Sequence, residues 1–295
     1  MNAIQQAAAN DPRAAGVFRE LQSAAKAATR DGGRPVGTQE YLVRHALESF
    51  LDRLSQTPHG DDFVLKGGIL LAAYGIRRPT KDVDAEAIST ELSAANLTRV
   101  VTDVAAVQAA DGVAFDLESI TVDEIREDAE YTGLRLKVVT YVATAKVVVA
   151  WDVSAGDPIV PEARMLKVPR ILGSPVELYG YAPETIVAEK GVTILQRGTT
   201  STRWRDYVDI VQVARQYDLD HDRLVESVRA VAKFRGVDLE PAAPLVVGYG
   251  DLSQAKWQAW RSKAGVEAMS ETSLDDQMRE VCVVIDPVFL AAAGT

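Results

Sequence analysis

The stretch FVLKGGILLAAYGIRRPTKDVDAEA, residues 63–87, sets a Lys-Gly-Gly corner about fifteen residues ahead of two aspartates on alternate positions. Its pattern predicts a short strand over FVL, a buried helix over GGILLAAYG closed by Gly75, and a second strand over DVDAEAI. Alternate residues of a strand point the same way, so Asp82 and Asp84 can present two carboxylates to one cation. A hard ion such as Mg²⁺ takes oxygen ligands and keeps waters and phosphates in its shell. Two or three carboxylates therefore suffice where a nucleoside triphosphate supplies the rest. Gly67 and Gly68 allow close backbone approach where a helix begins and free N–H groups favour phosphate. Lys66 before the glycines, with Arg77 and Arg78 after the helix, brackets that position with three cations. The bland reading of the same letters is a plain turn and a strand whose acids face solvent.

Alternation alone decides nothing. DLDHD, with Asp218, Asp220 and Asp222, has the same spacing but lacks the Gly and terminal Glu of a calcium loop, and it precedes a helical pattern. It reads as turn and capping chemistry. Asp152 is the stronger third carboxylate, because KVVVAWDV is too apolar for a surface strand and a lone buried acid needs a partner. A strand end that reaches water is the alternative. Asp157, in Gly-Asp-Pro, reads as a turn residue. Further along, Lys190 and Arg197 are seven apart on one predicted helix face, and Asp206 and Asp209 are three apart on the next helix. Taken alone, those four fit an interhelical ion-pair network.

The chain has 295 residues, 47% hydrophobic and 25% charged, a balance of ordinary water-soluble protein with no apolar run long enough to cross a bilayer. No signal peptide is read at the N-terminus, and the single Cys282 excludes an internal disulfide framework, so a cytoplasmic location is expected. A net charge of −10 argues against coating nucleic acid through a broad basic surface. His45, His59 and His221 are too few and too scattered for a zinc site or a histidine triad. The chemistry is expected to rest on carboxylates.

Helices are expected over residues 1–30 and, after the breaker DGGRPVG, from a Thr38 N-cap through QEYLVRHALESFLDRL. A helix over about 91–109 precedes strands at 113–122, 131–142 and 145–153. Beyond SAGDPIVPEAR the pattern turns helical, which puts a boundary between a core of residues 1–165 and a mostly helical region of residues 166–295.

These elements resemble the AbiEii and MenT type of minimal nucleotidyltransferase toxin, within the DNA polymerase beta-like superfamily. The resemblance covers roughly residues 60–215: LKGGILLAAYGIRRPTKDVD, then VAWDVSAGDP, AEKGVTILQRG and RWRDYVDI in order. It implies an α+β core with a mixed sheet and a nucleotide transferred to an acceptor hydroxyl with loss of pyrophosphate. For MenT-like members the acceptor is the 3′ CCA end of tRNA, which would then escape aminoacylation; the nucleotide expected is a pyrimidine. By resemblance, Asp82 and Asp84 hold Mg²⁺, for which Mn²⁺ can substitute, and Asp152 is a further ligand. Lys66 and Lys190 contact the triphosphate, and Asp206 completes the catalytic set. Gly67, Gly68, Arg77, Arg78, Thr80, Arg197 and Asp209 fall in substrate-binding positions. A cognate antitoxin is the implied partner. Thr80, two residues before Asp82, is also placed so that a phosphate on it would add about −1.5 to −2 charge beside the carboxylates.

Two rivals remain open. The same fold could act on a protein side chain or a small-molecule hydroxyl, which the acidic charge favours. Against that stand Arg164, Lys167, Arg170, Arg197, Arg203 and Arg205, which could take an RNA end, with Trp204 among them. Trp204 itself reads as core, in a helical stripe with Tyr207, Val208 and Val211. The other rival is a non-catalytic interaction protein with a vestigial acidic pair.

Overall fold

The computed structural model describes residues 2–30, 37–127, 131–200 and 202–294; most of the breaker, residues 31–36, lies outside them. The chain divides into two compact units. The first comprises Met1–Gly156 and Met165–Gly180, the second Asp157–Arg164 and Tyr181–Thr295.

The first unit is a mixed sheet with helices. Helices α1 (Ala3–Asn10), α2 (Pro12–Arg30) and α3 (Thr38–Ser55) precede β1 (Phe63–Lys66), α4 (Gly67–Ala73) and β2 (Asp82–Ala87). Then come α5 (Ala94–Ala106), β3 (Val113–Glu127), β4 (Tyr131–Val142) and β5 (Ala145–Ala155), and finally β6 (Arg164–Val168) and β7 (Val176–Gly180). The strand order is β3-β4-β5-β2-β1-β7-β6. β2 runs antiparallel to β1 and parallel to β5, and β1 runs parallel to β7.

The two faces of the central strands differ sharply. On β5, Val149, Trp151 and Val153 are buried while Ala150, Asp152 and Ser154 are only half-buried. On β2, Val83, Ala85 and Ala87 take the apolar side. Trp151 is wedged between Phe50 of α3, ring centroids 5.3 Å apart, and Phe63 of β1, 4.7 Å apart. Aromatic pairs in such tilted and edge-on geometry add to the burial they provide. The helix side of the sheet is thus its core, and Asp82, Asp84 and Asp152 are left on the opposite face.

Several expectations need correction. Gly37, not Thr38, is the N-cap of α3; its backbone is extended, and Thr38 already belongs to the helix. Asp152 does not end its strand but lies three residues inside β5, and the apolar run around it populates both faces, Val148 being exposed. The helical pattern beyond residue 156 is preceded by two strands. β6 is short, charged and at the sheet edge, where Lys and Arg guard against further pairing. Its five residues carry too little alternation to be read locally.

The second unit is helical: α6 (Pro183–Arg197), α7 (Trp204–Gln216), α8 (His221–Arg235), α9 (Tyr249–Ala264) and α10 (Leu274–Ala293). Asp220 caps α8 by accepting from the Arg223 N–H at 3.1 Å, which is the role its sequence suggested. Asp157 is more than a turn residue. Its carboxylate is buried and takes two bonds from Arg235 Nη2, each 3.1 Å. The carbonyl of Val160 accepts from Thr185 and Ser227, so this incoming segment is tied to α6 and α8. Trp204 is buried and donates its indole N–H to Tyr249 Oη at 2.8 Å. Among the described residues, no helix is long and apolar enough to cross a membrane.

Trp151→Ala should empty the space between α3 and the sheet and cost about 3–5 kcal/mol. Urea unfolding of the variant beside the parent checks this, and a loss well under 1 kcal/mol would contradict the assigned core.

Candidate active site

The acids and cations of the first unit form a row across the sheet. Lys66 on β1 stands opposite Asp84 on β2, Asp84 opposite Asp152 on β5, and Asp152 opposite Arg135 on β4. Laterally paired residues share a face, so the row alternates cation, carboxylate, carboxylate, cation. Asp82 lies on the same face, two residues along from Asp84.

The Lys-Gly-Gly corner is pressed against this row. Gly67 has φ +67°, and a Cβ there would lie 1.9 Å from Asp84 Oδ2. A Cβ on Gly68 would lie 2.7 Å from Thr80 Oγ1 and 3.0 Å from Arg78 Nη1. No side chain fits at either position, which is why the corner is glycine twice. Thr80 Oγ1 in turn donates to Asp82 Oδ1 at 3.1 Å. Lys66, Gly67, Gly68, Arg78, Thr80, Asp82, Asp84 and Asp152 are therefore brought together.

Arg77 is placed differently. Its guanidinium lies 3.9 Å from Glu48 Oε1 of α3 and beside Arg44, so it is turned toward that helix rather than toward Gly68. Asp152 is engaged through both oxygens by Arg135, whose Nε reaches Oδ1 at 2.6 Å and whose Nη2 reaches Oδ2.

Two participants were not singled out from the sequence. Glu86 is buried, and its Oε2 accepts from Lys66 Nζ at 3.1 Å and from Ser154 Oγ at 2.6 Å. The signal was there, since Asp82, Asp84 and Glu86 continue one alternation, but only the first pair looked like a motif. Arg135, the partner of Asp152, comes from a neighbouring strand and left no local trace.

The Asp84 carboxyl is pushed up to about 7, chiefly by burial and then by the charges of Asp82 and Asp152; Lys66 and Arg78 pull it back only partly. Two aspartates crowded on one face favour a bound cation, and the donor set is all oxygen, which suits Mg²⁺. Among the described residues no group of three His, Cys, Asp or Glu side chains is arranged to hold a metal, so Asp82 and Asp84 are the pair that could do so, with the remaining ligands supplied by water and phosphate.

The second unit holds its own cluster. Lys190 Nζ of α6 lies 2.5 Å from Asp206 Oδ1 and 3.0 Å from Asp209 Oδ2 of α7, and Arg203 Nε donates to Asp206 Oδ2 at 2.6 Å. Burial works against the charged form of Asp206, but Lys190 and Arg203 outweigh it and hold its carboxyl below the usual range. These groups form an interhelical ion-pair network. Arg197 is half-buried at the end of α6, two turns on from Lys190.

A mixed sheet carrying paired carboxylates beside a Lys-Gly-Gly corner defines a protein of the nucleotidyltransferase class, and comparison with known proteins agrees. Residues 49–279 match the family described as "Nucleotidyl transferase AbiEii toxin, Type IV TA system". The chain belongs to that AbiEii family of nucleotidyltransferase toxins of type IV toxin–antitoxin systems, which implies a nucleotide substrate and an antitoxin partner. Among solved structures it is similar to an H. pylori protein described as a "putative nucleotidyltransferase", at 15% identity and TM-score 0.52, over 87% of this chain and 97% of that one. JHP933 from Helicobacter pylori is similar at 16% identity and TM-score 0.49, over 85% and 92% of the two chains. No curated protein matches the chain.

Two outcomes are expected. Because the Asp84 pKa is raised from its ordinary value near 4 to about 7, the folded state holds a proton that the unfolded chain has lost across that window. Stability without divalent ions should therefore fall as pH rises from about 4 to 7. Asp84→Asn should flatten that slope and be the more stable protein at pH 8 in urea titrations. Lys190→Ala removes the cation shared by two buried carboxylates and should cost on the order of 3–5 kcal/mol. A change under 1 kcal/mol in the same titration would argue against the network.

Proposed function

We propose that this chain is a metal-dependent transferase that moves a pyrimidine nucleotide from a nucleoside triphosphate to the 3′ CCA end of tRNA, blocking aminoacylation and translation. The observation that carries the reading is the corner itself. The backbone of Gly67 lies against Asp84 so closely that no side chain is tolerated, next to a second carboxylate on the same face. A triphosphate laid on that corner would meet backbone rather than side chains.

Asp82 and Asp84 are the residues that would hold Mg²⁺, or Mn²⁺ in its place. Such an ion, when bound, neutralises the phosphate oxygens and polarises the phosphorus under attack. Lys66 is the residue of this chain nearest that task. Glu86 holds its ammonium on the acidic face, where it offsets the charge of an incoming triphosphate. Arg78, against Gly68, adds a second cation. Thr80 orients Asp82 through its hydroxyl, and Asp152 is fixed in direction by the two bonds from Arg135. In this reading Lys190 contacts the triphosphate, Asp206 completes the catalytic set and Arg197 and Asp209 are substrate-binding positions, and the cytoplasm is where tRNA, triphosphate and antitoxin are met.

The test is incubation of the purified chain with total tRNA, Mg²⁺ and each labelled nucleoside triphosphate in turn, beside Asp82→Ala. Label on the tRNA 3′ end, lost in a variant that still unfolds cooperatively, is the expected result. Label on a protein or small molecule would move the acceptor elsewhere and keep the site. An unlabelled mixture, or an Asp82→Ala variant as active as the parent, would defeat the assignment.

A further inference from the structure

The sheet face that carries Asp82 and Asp84 continues beyond them across β5 and β4. Ala150 of β5 is paired on one side with Asp82 of β2 and on the other with Lys137 of β4. Asp82, Ala150 and Lys137 therefore form a rung of their own on that face, next to the rung of Asp84, Asp152 and Arg135. Neighbouring strands lie about 4.8 Å apart, which sets the Asp82 and Lys137 backbones about 9.6 Å from one another. The residue between them is a half-buried alanine, whose methyl group rises too little to fill the space between carboxylate and ammonium.

Charge is graded across these rungs. The acids of β2 stand at one end, while among the described residues of β4 and β5 this face carries Arg135, Lys137 and Lys146 against the carboxylate of Asp152. Arg135 is engaged by both oxygens of that carboxylate. Lys137 is held far less firmly. Its contact with Asp123 Oδ2 of β3 is 3.5 Å long, and the two side chains are 45% and 63% exposed. An ion pair of that kind contributes little, so a phosphate can take its place.

One rung further along, Val148 of β5 stands opposite Val139 of β4, and Val148 is 44% exposed. Lys146, exposed and opposite Tyr141, begins the rung after that. Same-face residues follow at about 6.8 Å along a strand, so cation, apolar step and cation succeed one another at that interval. Asp116 lies across from Val139 on β3, but it is buried and takes a bond from Asn2 Nδ2 at 2.5 Å. A single-stranded nucleic acid has the complementary alternation, an anionic phosphate followed by a sugar and base.

We infer that Lys137 binds the phosphate on the 5′ side of the acceptor's terminal nucleotide, with Val148 and Val139 beneath the next sugar and base and Lys146 at the phosphate beyond. The terminal 3′ hydroxyl is then presented at Asp82 and Asp84. A ribose separates that hydroxyl from its own 5′ phosphate, and the rung from Asp82 to Lys137 spans the separation once the two side chains reach inwards. The inference rests on the transferase reading and narrows it, since the acceptor is a nucleic-acid strand held by its backbone. The hydroxyl of a protein side chain brings no phosphate to Lys137.

The probe is a tetranucleotide ending in CCA, dye-labelled at its 5′ end, titrated with the full chain in Mg²⁺ and followed by fluorescence anisotropy. Lys137→Gln should weaken binding by about tenfold, the worth of one charge-assisted hydrogen bond. The slope of log affinity against log salt should fall in magnitude by about 0.7, the value for one phosphate contact on a single strand. Lys137→Arg should keep both. Lys146→Gln should weaken the tetranucleotide but not the dinucleotide CpA, which has one phosphate. Lys26→Gln, which removes the same charge from an exposed position of α2, should bind as the parent does. In turnover, Lys137→Gln should raise KM for tRNA and leave KM for the triphosphate unchanged. Parent-like affinity and salt slope in Lys137→Gln, an equal loss in Lys26→Gln, or a parent that does not bind the tetranucleotide would overturn the inference. Binding is read without turnover, which separates the two readings. A parent that holds the tetranucleotide through Lys137 but labels no tRNA would defeat the transferase assignment alone, whereas tRNA labelling undiminished in Lys137→Gln at every tRNA concentration would defeat this inference alone.

Discussion

The contact between the Gly67 backbone and the Asp84 carboxylate is the constraint on which the rest of the acidic face depends. It requires β1 and β2 to pair antiparallel with Lys66 opposite Asp84, because only that register brings the turn of the corner over the carboxylate. Gly68 repeats the demand one residue on, against Thr80 and Arg78. Once the register is set, the period of two on β2 places Asp82, Asp84 and Glu86 together, and the parallel pairing with β5 delivers Asp152 beside them.

That arrangement is tolerable only because the opposite face of the same strands is so apolar. Trp151 follows Ala150 and precedes Asp152, and its ring is clasped by Phe50 and Phe63 while its neighbours point to the other side. A slip of one residue would drive Trp151 into the acidic face and Asp152 into the core, at the cost of both the apolar burial and an unpaired buried charge. The stability of the core thus enforces the burial, and with it the crowding of like charges, that together lift the Asp84 carboxyl to about 7. Stability is spent in one place on a face suited to a cation.

The same physics is resolved differently in the second unit. There Lys190 sits between Asp206 and Asp209 and Arg203 covers the far oxygen of Asp206, so the carboxyl of Asp206 is depressed rather than raised. Three-residue spacing on a helix, like two-residue spacing on a strand, puts two acids side by side. What separates the cases is the supply of cations within reach: at Asp84, Lys66 is shared with Glu86, and Arg135 is occupied by Asp152.

Local rules governed what could be read from residues alone. The strand, helix and strand around FVLKGGILLAAYG and DVDAEA, the need for two glycines, the shared face of Asp82 and Asp84, the capping role of Asp220 and the burial of Trp204 all follow from periods and steric limits that act within a few residues. The partners of those residues do not. That Arg135 occupies Asp152, that Glu86 holds Lys66, that Arg77 turns to Glu48 while Arg78 stays at the corner, that Asp157 is buried under Arg235, and that two short strands, β7 and the edge strand β6, extend the sheet before the helices begin were decided by packing between segments distant in the chain. Side-chain pairing across strands and helices depends on register and on which face the core claims, and those are properties of the whole sheet and bundle rather than of any stretch of sequence within them.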